Sequence, residues 1–141
     1  MKYLVFYIFM LPLFAFSQKT EKETIYILFD IANKEKCEVE IEGKGIQRIN
    51  KYRISKSMDN TFYYICDEIF VPKKGGEVDT CSVKNLKKID IKNIDYLIDV
   101  KKKKTESFFK NSIFKKIYFI EPHKDYLMKY EVSWATDLII E

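Results

Sequence analysis

The chain has 141 residues, of which 47% are hydrophobic and 16% aromatic, with only four glycines and three prolines. That composition excludes a disordered, collagenous or linker-like chain, none of which has this much to bury. A formal charge of +4 from 25 basic and 21 acidic residues, interleaved along most of the sequence, lacks the concentrated basic face of a nucleic-acid binder.

The N-terminus carries the strongest signal. Lys2 is followed by the apolar run Tyr3 to Phe14, then by Ala15-Phe16-Ser17 ahead of Gln18. A positive start, an apolar stretch and small residues in that order describe a secretory signal peptide over residues 1–17, cut between Ser17 and Gln18. The apolar run is shorter than the roughly 20 residues of a membrane-spanning helix, so an uncleaved anchor is the alternative reading. Residues 18–141 have the size of a single globular domain, expected in the periplasm or outside the cell.

Three cysteines follow: Cys37, Cys66 and Cys81. An exported chain keeps disulfides, and three cysteines allow one internal bridge and a leftover thiol. Any of the three pairings satisfies the sequence. The leftover thiol leaves room for a disulfide-linked dimer. None of the spacings is a zinc or C-x-x-C redox pattern.

Past a polar lead-in, Ile25-Tyr26-Ile27-Leu28-Phe29 is rich in β-branched and aromatic residues and apolar on both faces, as in a central strand. Cys37 to Glu42 alternates: Cys37, Val39 and Ile41 fall on one face, and Glu38, Glu40 and Glu42 on the other. A turn at Gly43-Lys44-Gly45 sets Glu40 opposite Arg48 and Val39 opposite Ile49, with a second strand from Ile46 to about Ile54. Ser55 to Asn60 is expected as a loop. Thr61 to Cys66 is the next strand; Ile69-Phe70-Val71 extends it past a bulge at Asp67 and Glu68 until Pro72 stops it.

Lys88 to Lys92 alternates briefly. The period then changes: Asn93 is a good N-cap, Ile94, Leu97 and Ile98 make an apolar stripe, and Lys101 to Lys104 close a helix over about residues 94–103. Acid first and base last suits the helix dipole, so the lysine block reads as a solvated helix end. Phe108 and Phe109 anchor an ambiguous segment before a strand at Phe114 to Glu121. Pro122 to Asp125 has turn chemistry. After it, Tyr126, Met128, Tyr130, Val132 and Trp134 share one strand face, while Leu127, Lys129, Glu131 and Ser133 share the other. Leu138 to Ile140 is expected as a short last strand.

The expected fold is α+β: a mostly antiparallel, meandering sheet of five or six strands, with one principal helix packed on one face. No phosphate-cradling glycine loop, nucleophile elbow or metal-binding motif is present, and no cofactor is expected. His123, the single histidine, sits in the predicted hairpin turn and reads as exposed and without a partner. Asp67 and Glu68 are candidate acid–base carboxylates. Tyr126, Tyr130 and Trp134 are either core or, on an open sheet face, an aromatic platform for a ligand or partner.

These features point to a small exported, non-catalytic binding domain whose protein or small-molecule partner lies in the envelope or outside the cell. No nucleic acid is involved, and a membrane is met only through an uncleaved signal. The alternatives are a small secreted hydrolase using Asp67 and Glu68, and an inhibitor or immunity-type protein.

Overall fold

The computed structural model describes residues 22–104 and 113–135. The signal segment with its cleavage site, Phe108-Phe109 and the expected last strand lie outside the described residues.

The centre of the molecule is three neighbouring strands, β1 (Thr24–Leu28), β9 (Lys116–Pro122) and β10 (Leu127–Trp134). β1 pairs with β9 in parallel, Tyr26 opposite Tyr118, and β9 pairs with β10 as an antiparallel hairpin, Tyr130 opposite Phe119. Ile25, Ile27, Phe119, Ile120, Leu127, Val132 and Trp134 are each no more than 2% exposed. The continuous apolar run of β1 thus reflects a strand flanked on both sides.

The other strands arrange around this centre. Between β1 and β9 the chain forms a hairpin, β2 (Lys36–Ile41) and β3 (Gly45–Asn50), and then β4 (Tyr52–Ser57), β5 (Asn60–Ile65), β6 (Glu68–Pro72), β7 (Val78–Cys81) and the two-residue β8 (Ile91–Lys92). Among the described residues the main sheet has eight strands in the order β4-β5-β6-β10-β9-β1-β8, with β7 also paired to β10; β2 and β3 form a separate two-stranded sheet.

The expected meander of five or six antiparallel strands is therefore corrected to a larger, mixed sheet. β8 and β9 both run parallel to β1. Parallel strands need a crossover, and helix α1 (Ile94–Lys104) supplies it between β8 and β9. Asn93 starts α1 as expected, its Oδ1 accepting from Tyr96 N at 2.9 Å. Ile94 and Leu97 bury the apolar stripe in a core shared with Phe29, Phe70, Phe114 and Trp134.

Three further differences have local causes. In the β2–β3 hairpin Glu38, not Glu40, lies opposite Arg48, and Val39 faces Gln47. The turn closes one residue earlier than expected, with Lys44 N donating to Ile41 O, and Gly43 takes a positive φ of 76°. The shift is two residues, so each side chain keeps its face. The expected strand from Ile46 to Ile54 breaks at Lys51, whose N–H bonds Glu35 O, whose carbonyl accepts from Cys66 N and whose amine pairs with Glu35 at 2.6 Å. Beyond that corner β4 joins the main sheet.

The chain between Ile54 and Val71 makes two tight hairpins where one loop and one bulged strand were expected. Met58-Asp59 turns β4 into β5, and Cys66-Asp67 turns β5 into β6. Met58 and Cys66 take the left-handed backbone with φ of 50° and 57°, in turns that contain no glycine. A disulfide joins Cys37 in β2 to Cys66 in the second turn, with Cα atoms 5.5 Å apart, and Cys81 is free. It ties the separate hairpin to the main sheet.

β6 and β7 lie end to end along one side of β10: Phe70 faces Trp134, Pro72 faces Val132, and Val78 faces Tyr130. The intervening residues 73–77 loop out at Glu131. Lys73 N donates to Glu131 O, and Glu131 N donates to Glu77 O. The Glu131 side chain, 5% exposed, accepts from Lys73 Nζ at 2.7 Å. Both faces of β10 are thus buried here.

Candidate ligand pocket

The structure separates the candidate residues. Asp67 is exposed in the turn. Glu68 turns inward: its Oε2 accepts from Trp134 Nε1 at 2.6 Å, and its Oε1 lies 3.8 Å from Lys101 Nζ. That ammonium also sits 5.2 Å from the centre of the Trp134 ring, so the first lysine of the block is a packing element, not a solvated end. Glu68 closes the polar end of a buried indole, an acceptor that Trp needs when it leaves water.

Trp134 is 0% exposed and Tyr130 7%, both in the core, whereas Tyr126 is 42% exposed. These three therefore do not form a single platform. Tyr126 stacks on His123, with ring centroids 4.7 Å apart. His123 is less isolated than its turn position implied: its Nε2 lies 3.5 Å from Glu121 Oε1. Glu121 Oε2 in turn accepts from the Tyr130 hydroxyl at 2.9 Å.

Tyr130 lines a concave surface. Beside it a pocket of about 250 Å³ is lined by Tyr63, Pro72, Lys73, Gly76, Val78, Met128, Tyr130 and Glu131. Its origin is topological: β6 ends at Pro72, β7 begins at Val78, and the chain between them loops away. Tyr63 and Met128 pack against the main core, so the pocket continues the core's own face outward. Tyr63 and Tyr130 lie with ring centroids 5.6 Å apart, tilted by 46°. Burial, then the nearby Glu121 carboxylate, hold the Tyr130 hydroxyl far above the ordinary tyrosine range; burial also raises Tyr63. Both rings stay neutral at any physiological pH.

Of the lining residues, Tyr63 gave no sequence signal, because the run Phe62-Tyr63-Tyr64-Ile65 is apolar on both faces. Glu121 was legible only as the end of a strand. On the opposite sheet face, a polar cluster holds the 73–77 loop: Tyr118 donates to Glu77 Oε2 at 2.6 Å, and Lys116 Nζ lies 3.1 Å from Glu77 Oε1. The bond to Glu77, then that to Tyr118, pushes the Lys116 amine up to about 12.

Among the described residues no group of His, Cys, Asp and Glu is arranged to hold a metal ion. Nor is any helix among them long and apolar enough to cross a membrane. No known family, curated protein or solved structure matches this chain.

Proposed function

We propose that the protein is a small exported, non-catalytic domain that binds a ligand or partner in the periplasm or outside the cell, through the pocket beside Tyr63 and Tyr130. The observation that carries this reading is the pocket itself: a concave, largely apolar site with two phenol rings, opened where β6 and β7 part. Sites of this kind are the usual place for small-ligand binding. The disulfide is compatible with an oxidising compartment. The competing hydrolase reading would need Asp67 and Glu68 to work as a pair, whereas Glu68 is engaged by Trp134 and Asp67 stands in a turn.

The test is a methyl-labelled spectrum of the mature protein titrated with mixtures of small apolar fragments. Shifts confined to Met128 and Val78 are the expected result. A library that leaves both methyls unmoved contradicts the proposal.

A further inference from the structure

The pocket's walls have a definite electrical character. Tyr63 and Tyr130 present phenol rings, whose faces carry negative charge density, and Met128 adds a polarisable thioether. The two charged lining residues satisfy each other, Lys73 Nζ on Glu131 Oε1 at 2.7 Å. Behind Tyr130 stands a further carboxylate, Glu121, 16% exposed, whose Oε2 takes the Tyr130 proton donor at 2.9 Å. Its other oxygen faces His123 Nε2 at 3.5 Å, which carries charge only when protonated. Glu121 is not itself part of the lining, but its carboxylate is bonded to a ring that is.

At about 250 Å³ the pocket is smaller than the roughly 300–1,000 Å³ of sites for drug-sized ligands. It suits a headgroup, not a whole cofactor. Electron-rich rings with a carboxylate behind them are the chemistry that recognises alkylammonium groups, which aromatic faces attract and water releases cheaply.

We infer that this pocket binds a small free organic cation of the alkylammonium class, held against Tyr63 and Tyr130 with Glu121 as its counter-charge. The inference rests on the pocket being a binding site, as proposed above, and adds the charge of what it binds.

The mature chain contains two methionines, which supply probe and control: Met128 lines the pocket, and Met58 is 100% exposed in a distant turn. Full-length mature protein with labelled methionine methyls is titrated with choline and, separately, with 3,3-dimethylbutan-1-ol, its neutral isostere. Choline is expected to move Met128 and leave Met58 in place, with the alcohol about tenfold weaker. Glu121→Gln is expected to weaken choline several-fold and leave the alcohol unchanged. Tyr63→Leu, checked for folding by an unchanged circular dichroism spectrum, is expected to abolish the choline shift.

Equal shifts with choline and the alcohol overturn the cation inference while leaving the pocket as a binding site. If fragments move Met128 but choline does not, the cation falls alone; if nothing moves it, both readings fall. A response to a trimethyl-lysine peptide with none to choline also overturns the inference, because the cation would then belong to a protein chain.

Discussion

Trp134 Nε1 donates to Glu68 Oε2 at 2.6 Å, joining the end of β10 to the start of β6 across the turn that also carries Cys66. The indole is fully buried and the carboxylate side chain 15% exposed. Removing the acceptor leaves a buried N–H without a partner. Glu68→Ala is expected to lower unfolding stability by about 1–3 kcal/mol, and Glu68→Gln, which keeps an acceptor, by clearly less. Urea denaturation followed by the fluorescence of the single tryptophan measures both.

The Cys37–Cys66 bridge closes a 29-residue separation and ties the β2–β3 hairpin to the sheet. Replacing both cysteines with alanine is expected to cost about 2–4 kcal/mol. Cys81→Ser is expected to change stability little, because the thiol is unbridged. Hydrogen exchange in the double variant should rise first in β2 and β3, since among the described residues they pair with no other strand. Equal loosening of β1 and β9 would contradict this.

Gly76 is required by space. A Cβ there would meet Lys73 O at 2.9 Å and Glu131 Cβ at 3.1 Å. Lys73 belongs to the loop that opens the pocket, and Glu131 is the β10 residue that holds it. Gly76→Ala is expected to cost about 1–3 kcal/mol through overpacking and to shift the Met128 methyl resonance. Gly43→Ala meets no neighbour and is opposed only by its positive φ of 76°, at a cost of about 1 kcal/mol. Thermal unfolding of the two variants compares them.

Alkaline stability follows from the buried tyrosines. Burial first, and for Tyr130 also the Glu121 charge, raise Tyr130, Tyr52 and Tyr63 in the folded chain. In the unfolded chain a tyrosine ionises near pH ~10. The unfolded state therefore loses protons first, so stability is constant below that value and falls as pH rises through and above it. Tyrosinate absorbance should lag behind the free-tyrosine curve until the chain unfolds. In acid the sign reverses for Glu77 and Glu35, held below the usual range by hydrogen bonds from Tyr118 and from Lys51 respectively. What they contribute is present above the unfolded glutamate value of about 4.3 and fades as pH falls through their lower folded values, which carboxyl carbon resonances would follow.

Local patterns in the sequence marked many of the elements. The all-apolar Ile25–Phe29 supplies most of β1, a strand with a neighbour on each side, the alternation from Cys37 forms β2 with Glu38 and Glu40 on one side and Glu42 in the turn, and Asn93 with its Ile94/Leu97 stripe starts a helix. What escaped depended on partners distant in sequence. Lys51 breaks a strand because Glu35 and Cys66 capture its backbone, and nothing near Lys51 signals that. The turns at Met58 and Cys66 use positive φ without glycine. Parallel pairing of β1 with β8 and β9 joins segments far apart in the chain, which periodicity does not reveal. For the candidate site, the shared face of Tyr130 and Met128 was legible. Tyr63 was hidden in an unbroken apolar run, and the opening beside it arises from a loop held by Glu131, which the alternation placed only on the second face of its strand.

The intact mass of the natively expressed protein decides whether it is an exported domain closed by one internal bridge. The mass is taken with and without reduction, after thiol alkylation. The expected result is a chain that starts at Gln18 and carries one alkylated cysteine before reduction, Cys81. A chain that keeps Met1 and carries three alkylated cysteines would contradict it.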